Sequence, residues 1–246
     1  MRFETMDDLE SFLRCNKQYI LDSGTQGVCY KIEDNVYKIF YQYYDDDCDI
    51  MLSYSGDDIM QFSSFINNTY VFPSDLIMVG NEVVGYITKY VQGVSLFKVN
   101  PLKINLDKFQ LFLELAMSDI RKISDNGVVS YDVMYNILYG RDGFKVIDTL
   151  EYSYSDIDRV ELYNINYTRF IYEVRLFLID GLFDKFINGN SVLYNLCYDN
   201  QASFLEFVKE FRKRLSENEG YLISSLGEAN KSMSRVEGKR LRYMRG

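Results

Sequence analysis

The chain has 246 residues, of which 47% are hydrophobic, so we expect one domain of two lobes, or two small domains, with a substantial core. Its 27 basic and 36 acidic residues give a net charge of −9, which argues against bulk nucleic-acid binding. The sequence has no histidine, which excludes imidazole bases, Ser-His-Asp triads and histidine metal sites. Any acid-base chemistry must therefore use carboxylates, lysines or tyrosines.

The cysteines and the apolar runs predict the location of the protein. The 4 cysteines are widely spread and form no C-x-x-C pair, so neither a zinc site nor a disulfide framework is predicted. We therefore expect a reducing, cytoplasmic environment. The acidic N-terminus does not resemble a signal peptide, and no uncharged apolar run of about 18 residues predicts a membrane span.

The first part of the chain predicts a short helix and an antiparallel sheet. An acidic first turn followed by apolar residues at helical spacing predicts a helix over 7–15. Short β-rich runs between polar or glycine turns predict strands over 18–21, 28–32, 36–40, 76–79 and 83–90. A helix is also predicted over 56–67, with these residues facing inward: Ile59, Met60, Phe62, Phe65 and Ile66.

The rest of the chain has a mainly helical pattern. Apolar periodicity predicts buried helices over 105–124, over 166–180 and after Ser203, and a hairpin joins 137–139 to 144–147. The C-terminal segment is basic and polar, and its sequence is compatible with either a helix or a loose tail. We therefore divide the chain into a strand-rich lobe, a helical lobe and a basic tail, over 1–92, 93–225 and 226–246.

Two features of the strand-rich part are suited to phosphate binding. Gly24 and Gly27 would let backbone N–H groups approach a phosphate, although an ordinary β-hairpin turn would also contain such glycines. Lys38 follows on an apolar strand. Its ammonium points either into a cleft, where it would bridge phosphates, or to solvent.

Two polar segments of the helical part are suited to metal and proton chemistry. Asp132 would orient or deprotonate a hydroxyl and Asn136 would hold a magnesium ion, although both residue types also satisfy the backbone of ordinary loops. Asp148 ends an apolar strand. A carboxylate there is costly to bury unless it is paired or binds a metal, and otherwise it faces water.

The order and spacing of these features resemble the protein-kinase-like superfamily over about residues 18–215. The segment 83–96 resembles a strand, gatekeeper and hinge, Asp132-x-x-x-Asn136 resembles a catalytic loop, and Asp148-Thr149-Leu150 resembles a metal-binding motif. The resemblance implies a bilobal α+β fold, with an antiparallel β-sheet N-lobe and a mainly helical C-lobe.

The resemblance also implies ATP and Mg²⁺ as cofactors. Lys38 and Asp132 would be catalytic, and Asn136 and Asp148 would ligate the metal. Thr88 would be the gatekeeper. Contacts to the nucleotide would come from Gly24, Thr25, Gln26, Gly27, Cys29, Lys38, Thr88, Lys89 and Val91. This interpretation requires side chains 38, 136 and 148 to converge around one pocket.

The sequence departs from the family pattern at several positions. Asp22 replaces the first glycine of the loop, Ser130 replaces a histidine, and one residue is missing between Asp132 and Asn136. The helix predicted over 56–67 has no glutamate to pair with Lys38. Asp57, Asp58 or neither takes that role.

The expected function is transfer of the ATP γ-phosphate to a hydroxyl group, with Ser or Thr of a protein as the expected acceptor. A small-molecule hydroxyl, as in aminoglycoside-like kinases, is an alternative acceptor. A pseudokinase that binds nucleotide, or nothing, and acts through a partner is a second alternative, and a generic α+β binding domain is a third. We expect neither a membrane nor a nucleic acid as a partner.

Overall fold

A computed structural model of the chain describes residues 1–23, 26–41, 54–131, 133–199 and 202–243. The chain divides into two compact units. The first comprises Met1–Gln92 and Ile147–Leu150, and the second comprises Gly93–Val146 and Glu151–Gly246. Strands dominate the first unit and helices dominate the second, so the predicted mixed α+β class is confirmed.

The first unit is built on one six-stranded sheet. Its strands are β1 Arg2–Phe3, β2 Tyr19–Ser23, β3 Gly27–Ile32, β4 Asn35–Phe40, β5 Asp75–Val79 and β6 Glu82–Lys89. Their order across the sheet is β1-β5-β6-β4-β3-β2, which places β4 between β6 and β3. Only β1 runs parallel to its neighbour, and the other pairs are antiparallel.

Among its described residues, two apolar clusters pack within this first unit. Helix α1 (Met6–Asn16) begins at a capping box between Thr5 and Asp8, and it buries Leu9 and Leu13 in one cluster with strand residues such as Ile39. The second cluster contains Phe40, Tyr86, Leu150 and Ile59 of the short helix α2 (Gly56–Met60). The segment Ile147–Leu150 is therefore part of the core of this unit, although it is remote in sequence.

The helix predicted over 56–67 is wrong beyond Met60. Residues 61–64 form turns, because Phe62 and Phe65 pack against Phe72 with ring centroids 5.6 and 6.1 Å away. Ile66, which was predicted to face inward, is 94% exposed. Aromatic packing has therefore overridden a weak helical periodicity in this segment.

Glycines allow both neighbouring strands to approach β4 closely. A Cβ atom at Gly27 would overlap the backbone of Ile39, and a Cβ atom at Gly85 would overlap the carbonyl oxygen of Lys38. Strand pairing alone therefore requires Gly27, whether or not a ligand binds beside it. The two glycines hold the backbone of Lys38 and Ile39 at a fixed place in the sheet.

We expect Gly85→Ala to lower the free energy of unfolding by about 2 kcal/mol, because overpacking against fixed backbone costs about 1–3 kcal/mol. Urea unfolding followed by circular dichroism measures the change. Gly80→Ala is the control, since nothing lies within 4 Å of a Cβ atom there and φ is +57°. That variant should lose only about 1 kcal/mol, the cost of a left-handed residue. Equal losses in the two variants would contradict the expected clash.

The second unit is mainly helical. Its helices are α3 Leu106–Asp125, α4 Arg159–Leu178, α5 Asp184–Asn188, α6 Ser191–Tyr198, α7 Phe204–Glu219 and α8 Leu226–Tyr243, with 3-10 turns at Leu96–Lys98 and Pro101–Lys103. Its strands are β7 Gly93–Ser95, β8 Val128–Val129, β9 Ile137–Gly140, β10 Phe144–Val146 and β11 Ser153–Tyr154. One small sheet has the order β10-β9-β7, and β11 pairs with β8.

The predicted helices of this unit are present, with one shifted start. Helix α4 begins before the predicted residue 166 because the Asp158 side chain accepts hydrogen bonds from the N–H groups of Val160 and Glu161. The C-terminal segment is helical as far as Tyr243, so a loose tail is wrong for that stretch. In the ranges that the structure describes, no helix combines the length and the apolar character needed to span a bilayer.

Candidate functional site

Lys38 lies on β4 with its ammonium buried beside an aspartate. The residue is 6% exposed. Its Nζ atom donates hydrogen bonds to Asp148 Oδ1 at 2.6 Å and to Gln26 Oε1 at 2.9 Å. A buried ammonium is costly unless it is paired. Of the two orientations that the sequence left open, the structure therefore has the buried one, with its charge compensated.

The segment Ile147–Leu150 holds Asp148 in place within the first unit. Leu150 packs with Phe40 and Tyr86, and the Thr149 hydroxyl donates to the carbonyl oxygen of Val71 at 3.1 Å. Asp148 itself has φ +57°. Left-handed backbone is uncommon for residues other than glycine, and such strain concentrates at functional sites.

Tyr86 is a third member of this group, and the sequence analysis missed it. It lies opposite Lys38 in the ladder between β4 and β6, and its hydroxyl donates to Asp148 Oδ1 at 3.1 Å. Burial, reinforced by the negative charge of Asp148, raises the pKa of Tyr86 well above its ordinary value, so the hydroxyl stays protonated. Side chains two residues apart on a strand lie on the same face of the sheet, so Tyr86 shares a face with Thr88, the predicted gatekeeper. This relation is the signal in the sequence that could have indicated Tyr86.

The acids of α2 do not pair with Lys38. Asp58 accepts hydrogen bonds from the backbone N–H and the hydroxyl of Ser55, as part of the box that caps the helix. Asp57 is exposed. Among the described residues, Asp148 is the carboxylate that compensates Lys38.

The two oxygens of the Asp148 carboxylate differ in their hydrogen bonding. The hydrogen bonds from Lys38 and Tyr86 both reach Oδ1, whereas no donor from the described part of the chain reaches Oδ2. The Asp148 side chain is 33% exposed. Magnesium prefers oxygen ligands and is usually held by one or two carboxylates together with substrate phosphates. Oδ2 fits that role.

A site held by several acidic or thiol side chains would be a different kind of metal centre. No group of three or more His, Cys, Asp or Glu side chains that could hold a metal occurs in the described ranges.

The other predicted nucleotide contacts are spread along the sheet of the first unit. Cys29 lies opposite Lys38 in the ladder between β3 and β4 and is half-buried. Thr88 and Lys89 end β6, opposite Val36 and Asn35. Val91 follows that strand. Gly24 and Thr25 lie outside the described residues.

Asn136 lies in the second unit, between a turn and β9. The preceding residue, Tyr135, has φ +64° and donates its backbone N–H to the buried carboxylate of Glu173 at 3.3 Å. The Asn136 backbone N–H donates to the carbonyl oxygen of Val133 at 3.1 Å. The turn that carries Asn136 is therefore anchored on helix α4.

A second anchor on α4 holds the chain before residue 132. The buried Asn166 side chain accepts hydrogen bonds from both the backbone N–H and the hydroxyl of Ser130, each at 2.8 Å. Its amide donates to the Ser124 hydroxyl and to the carbonyl oxygen of Val128. Asp132 itself lies outside the described residues. Sequence reasoning did not single out Glu173 or Asn166, because both read as polar positions on an ordinary helix.

Of the three side chains expected to converge, Lys38 and Asp148 meet in the first unit, and Asn136 belongs to the second. Comparison with protein-family models gave no match for this chain, and neither did comparison with curated proteins. The function is therefore inferred from the side chains themselves.

Proposed function

We propose that the protein is an ATP- and Mg²⁺-dependent phosphotransferase with a bilobal protein-kinase-like fold. The observation that carries the proposal is the 2.6 Å ion pair between Lys38 and Asp148, which are 110 residues apart in the sequence. This pair puts a buried ammonium next to a carboxylate with one open oxygen. A nucleoside triphosphate with its metal needs both groups.

Lys38 retains a donor for a phosphate oxygen. An ammonium group has three N–H donors. Two of them are engaged by Gln26 and Asp148, and the described residues provide no acceptor for the third. A phosphate oxygen would therefore add to the existing pair without breaking it.

The remaining roles follow from the chemistry of each side chain. Bound Mg²⁺ would neutralise charge on the transferred phosphoryl group. In the proposal, Asp148 and Asn136 supply its protein ligands, and Asp132 orients the acceptor hydroxyl, for which Ser or Thr of a protein is the expected source. The chain contributes positioning and charge compensation, with no covalent step of its own.

Nucleotide binding without transfer is a second candidate, and the pairing at Lys38 favours it. Within the described ranges, Lys38 and the proposed metal share a single carboxylate, because α2 supplies none. A pseudokinase would keep this pair for binding alone. Ser130 stands where the kinase family has a histidine, and this departure also favours binding without transfer.

Thermal unfolding with and without ATP and Mg²⁺ tests binding. A ligand at about 100 times its Kd adds about 2.7 kcal/mol. A chain of this size gains about 2–4 °C in Tm per kcal/mol, so we expect a rise of about 5–10 °C, which EDTA should reduce because Lys38 alone then holds the phosphates.

Incubation with γ-labelled ATP and a protein acceptor tests transfer. Label that appears with the wild type and not with Asp132→Ala supports the phosphotransferase. Binding without any label supports the second candidate, and absence of binding contradicts both.

A further inference from the structure

We infer that Tyr86 is a positioning residue that, together with Lys38, fixes the Asp148 carboxylate and so leaves Oδ2 as the metal ligand. This inference rests on the proposed function, in which Asp148 holds Mg²⁺. It adds a residue that the resemblance to kinases does not assign.

The geometry at Oδ1 carries the inference. Oδ1 accepts one hydrogen bond from Lys38 Nζ at 2.6 Å and another from the Tyr86 hydroxyl at 3.1 Å. Rotation of the carboxylate about its Cβ–Cγ bond would break both bonds at once. A carboxylate with a single donor could exchange its two oxygens far more easily. Two donors on one oxygen therefore distinguish Oδ1 from Oδ2.

Tyr86 is the more rigid of the two donors. Its ring is buried and packs against Phe40 with centroids 6.0 Å apart, and the lysine ammonium lies 5.7 Å from the ring centroid. A lysine reaches Asp148 through a flexible four-carbon stem, whereas a tyrosine hydroxyl is placed by two torsion angles. Groups held on strands define a site more accurately than groups on loops.

The acidic residues of α2 take no part in holding Lys38 and Asp148, and residues of the sheet do so instead. Asp58 is engaged with Ser55, and Lys38 has no second carboxylate among the described residues. Lys38 and Tyr86 face each other across adjacent strands, and Gly85 keeps those strands close. The sheet itself thus supplies both groups that orient Asp148.

Tyr86→Phe tests the inference, because it removes the hydroxyl and keeps the ring. We expect the affinity for ATP in the presence of Mg²⁺ to fall about tenfold, as for loss of one hydrogen bond to a charged group. The affinity for ATP in EDTA should stay within about twofold of the wild type, because Lys38 is unchanged. Isothermal titration calorimetry measures both. Tyr37→Phe is the matched control, since Tyr37 is a buried tyrosine of the same sheet in the cluster beside α1.

A ligand-free measurement separates this inference from the proposed function. In urea unfolding, Tyr86→Phe should reduce the unfolding free energy in the wild-type background and have little further effect in Asp148→Gly. Glycine removes the acceptor and tolerates the left-handed backbone. The cycle should show a coupling equivalent to about a tenfold change in the unfolding equilibrium constant.

Each outcome decides the matter. Selective loss of the metal-dependent affinity, with coupling in the cycle, supports the positioning role. Equal losses with and without Mg²⁺, a Tyr86→Phe chain that does not fold, or zero coupling would overturn it. A wild type that binds no nucleotide refutes the proposed function and the role of Oδ2 as a metal ligand. In that case the double-mutant cycle still decides whether Tyr86 holds the Asp148 carboxylate.

Discussion

Asp148→Asn is expected to reduce phosphoryl transfer by about 10²–10³-fold, the range found when one preorganised electrostatic contact is removed. Asparagine has nearly the shape of aspartate and also tolerates left-handed backbone, so φ +57° adds no new strain. What is lost is the negative charge that binds the metal and compensates Lys38. Initial rates with labelled ATP, and the rise in Tm caused by ATP and Mg²⁺, measure the loss.

The same substitution should also destabilise the ligand-free protein. Lys38 is buried, and without a carboxylate its ammonium keeps only neutral acceptors. Loss of a hydrogen bond between charged groups costs about 1.5–3 kcal/mol, and leaving a charge buried without a partner adds to that cost. We expect the free energy of unfolding to fall by about 2 kcal/mol.

Asp142→Asn is the control for this variant. Asp142 also pairs with a lysine, Lys145, at 3.5 Å, but its side chain is 75% exposed. Exposed ion pairs contribute about 0–1 kcal/mol, so stability and transfer should both stay near the wild type. Full activity in Asp148→Asn would contradict the role of Asp148 as a metal ligand.

Lys38→Met is expected to reduce the response to nucleotide sharply without destabilising the fold. Loss of the ammonium removes a charge-assisted contact to phosphate, worth about 2 kcal/mol or about 30-fold in Kd. Methionine fills a similar volume without a buried charge, and the Asp148 side chain, 33% exposed, can be hydrated. We therefore expect an unchanged or higher Tm in the absence of ligand, and a rise of only about 2–4 °C with ATP and Mg²⁺ at the concentration that raises the wild-type Tm by about 5–10 °C.

Lys145→Met provides a matched comparison. Lys145 is also a buried strand lysine paired with an aspartate, but it lies on β10 in the second unit. Its replacement should leave the rise in Tm with ATP and Mg²⁺ unchanged. If Lys38→Met responds to nucleotide as strongly as Lys145→Met does, Lys38 does not bind phosphate.

The elements with strong periodicity were predictable from the sequence. Helix α3 and strand β4 lie within one residue of their predicted bounds. The expected convergence of side chains 38, 136 and 148 rested on motif order; the ion pair joins 38 and 148, and Asn136 lies in the second unit. The helix predicted over 56–67 was wrong after Met60, where Phe62 and Phe65 pack against Phe72.

The groups that support the candidate residues in each unit were not predictable in the same way. The role of Tyr86 depends on the register between β4 and β6, which places it opposite Lys38. A one-residue slip would turn its side chain to the other face, and a single sequence does not determine that register. Glu173 and Asn166 act on backbone N–H groups more than 30 residues away, at 38 and 36 positions of separation. No local pattern encodes such partners.

The path of the chain through the first unit limits how that unit can be truncated or transferred to another protein. The chain leaves this unit after Gln92 and returns only for Ile147–Leu150, which brings in both Asp148 and the buried Leu150. Truncation of the chain after Gln92 would therefore remove Leu150 from the core of the unit and Asp148 from the ion pair with Lys38. The first unit cannot be moved to another protein as one continuous segment, because its last part is encoded 54 codons downstream, after the entire stretch Gly93–Val146.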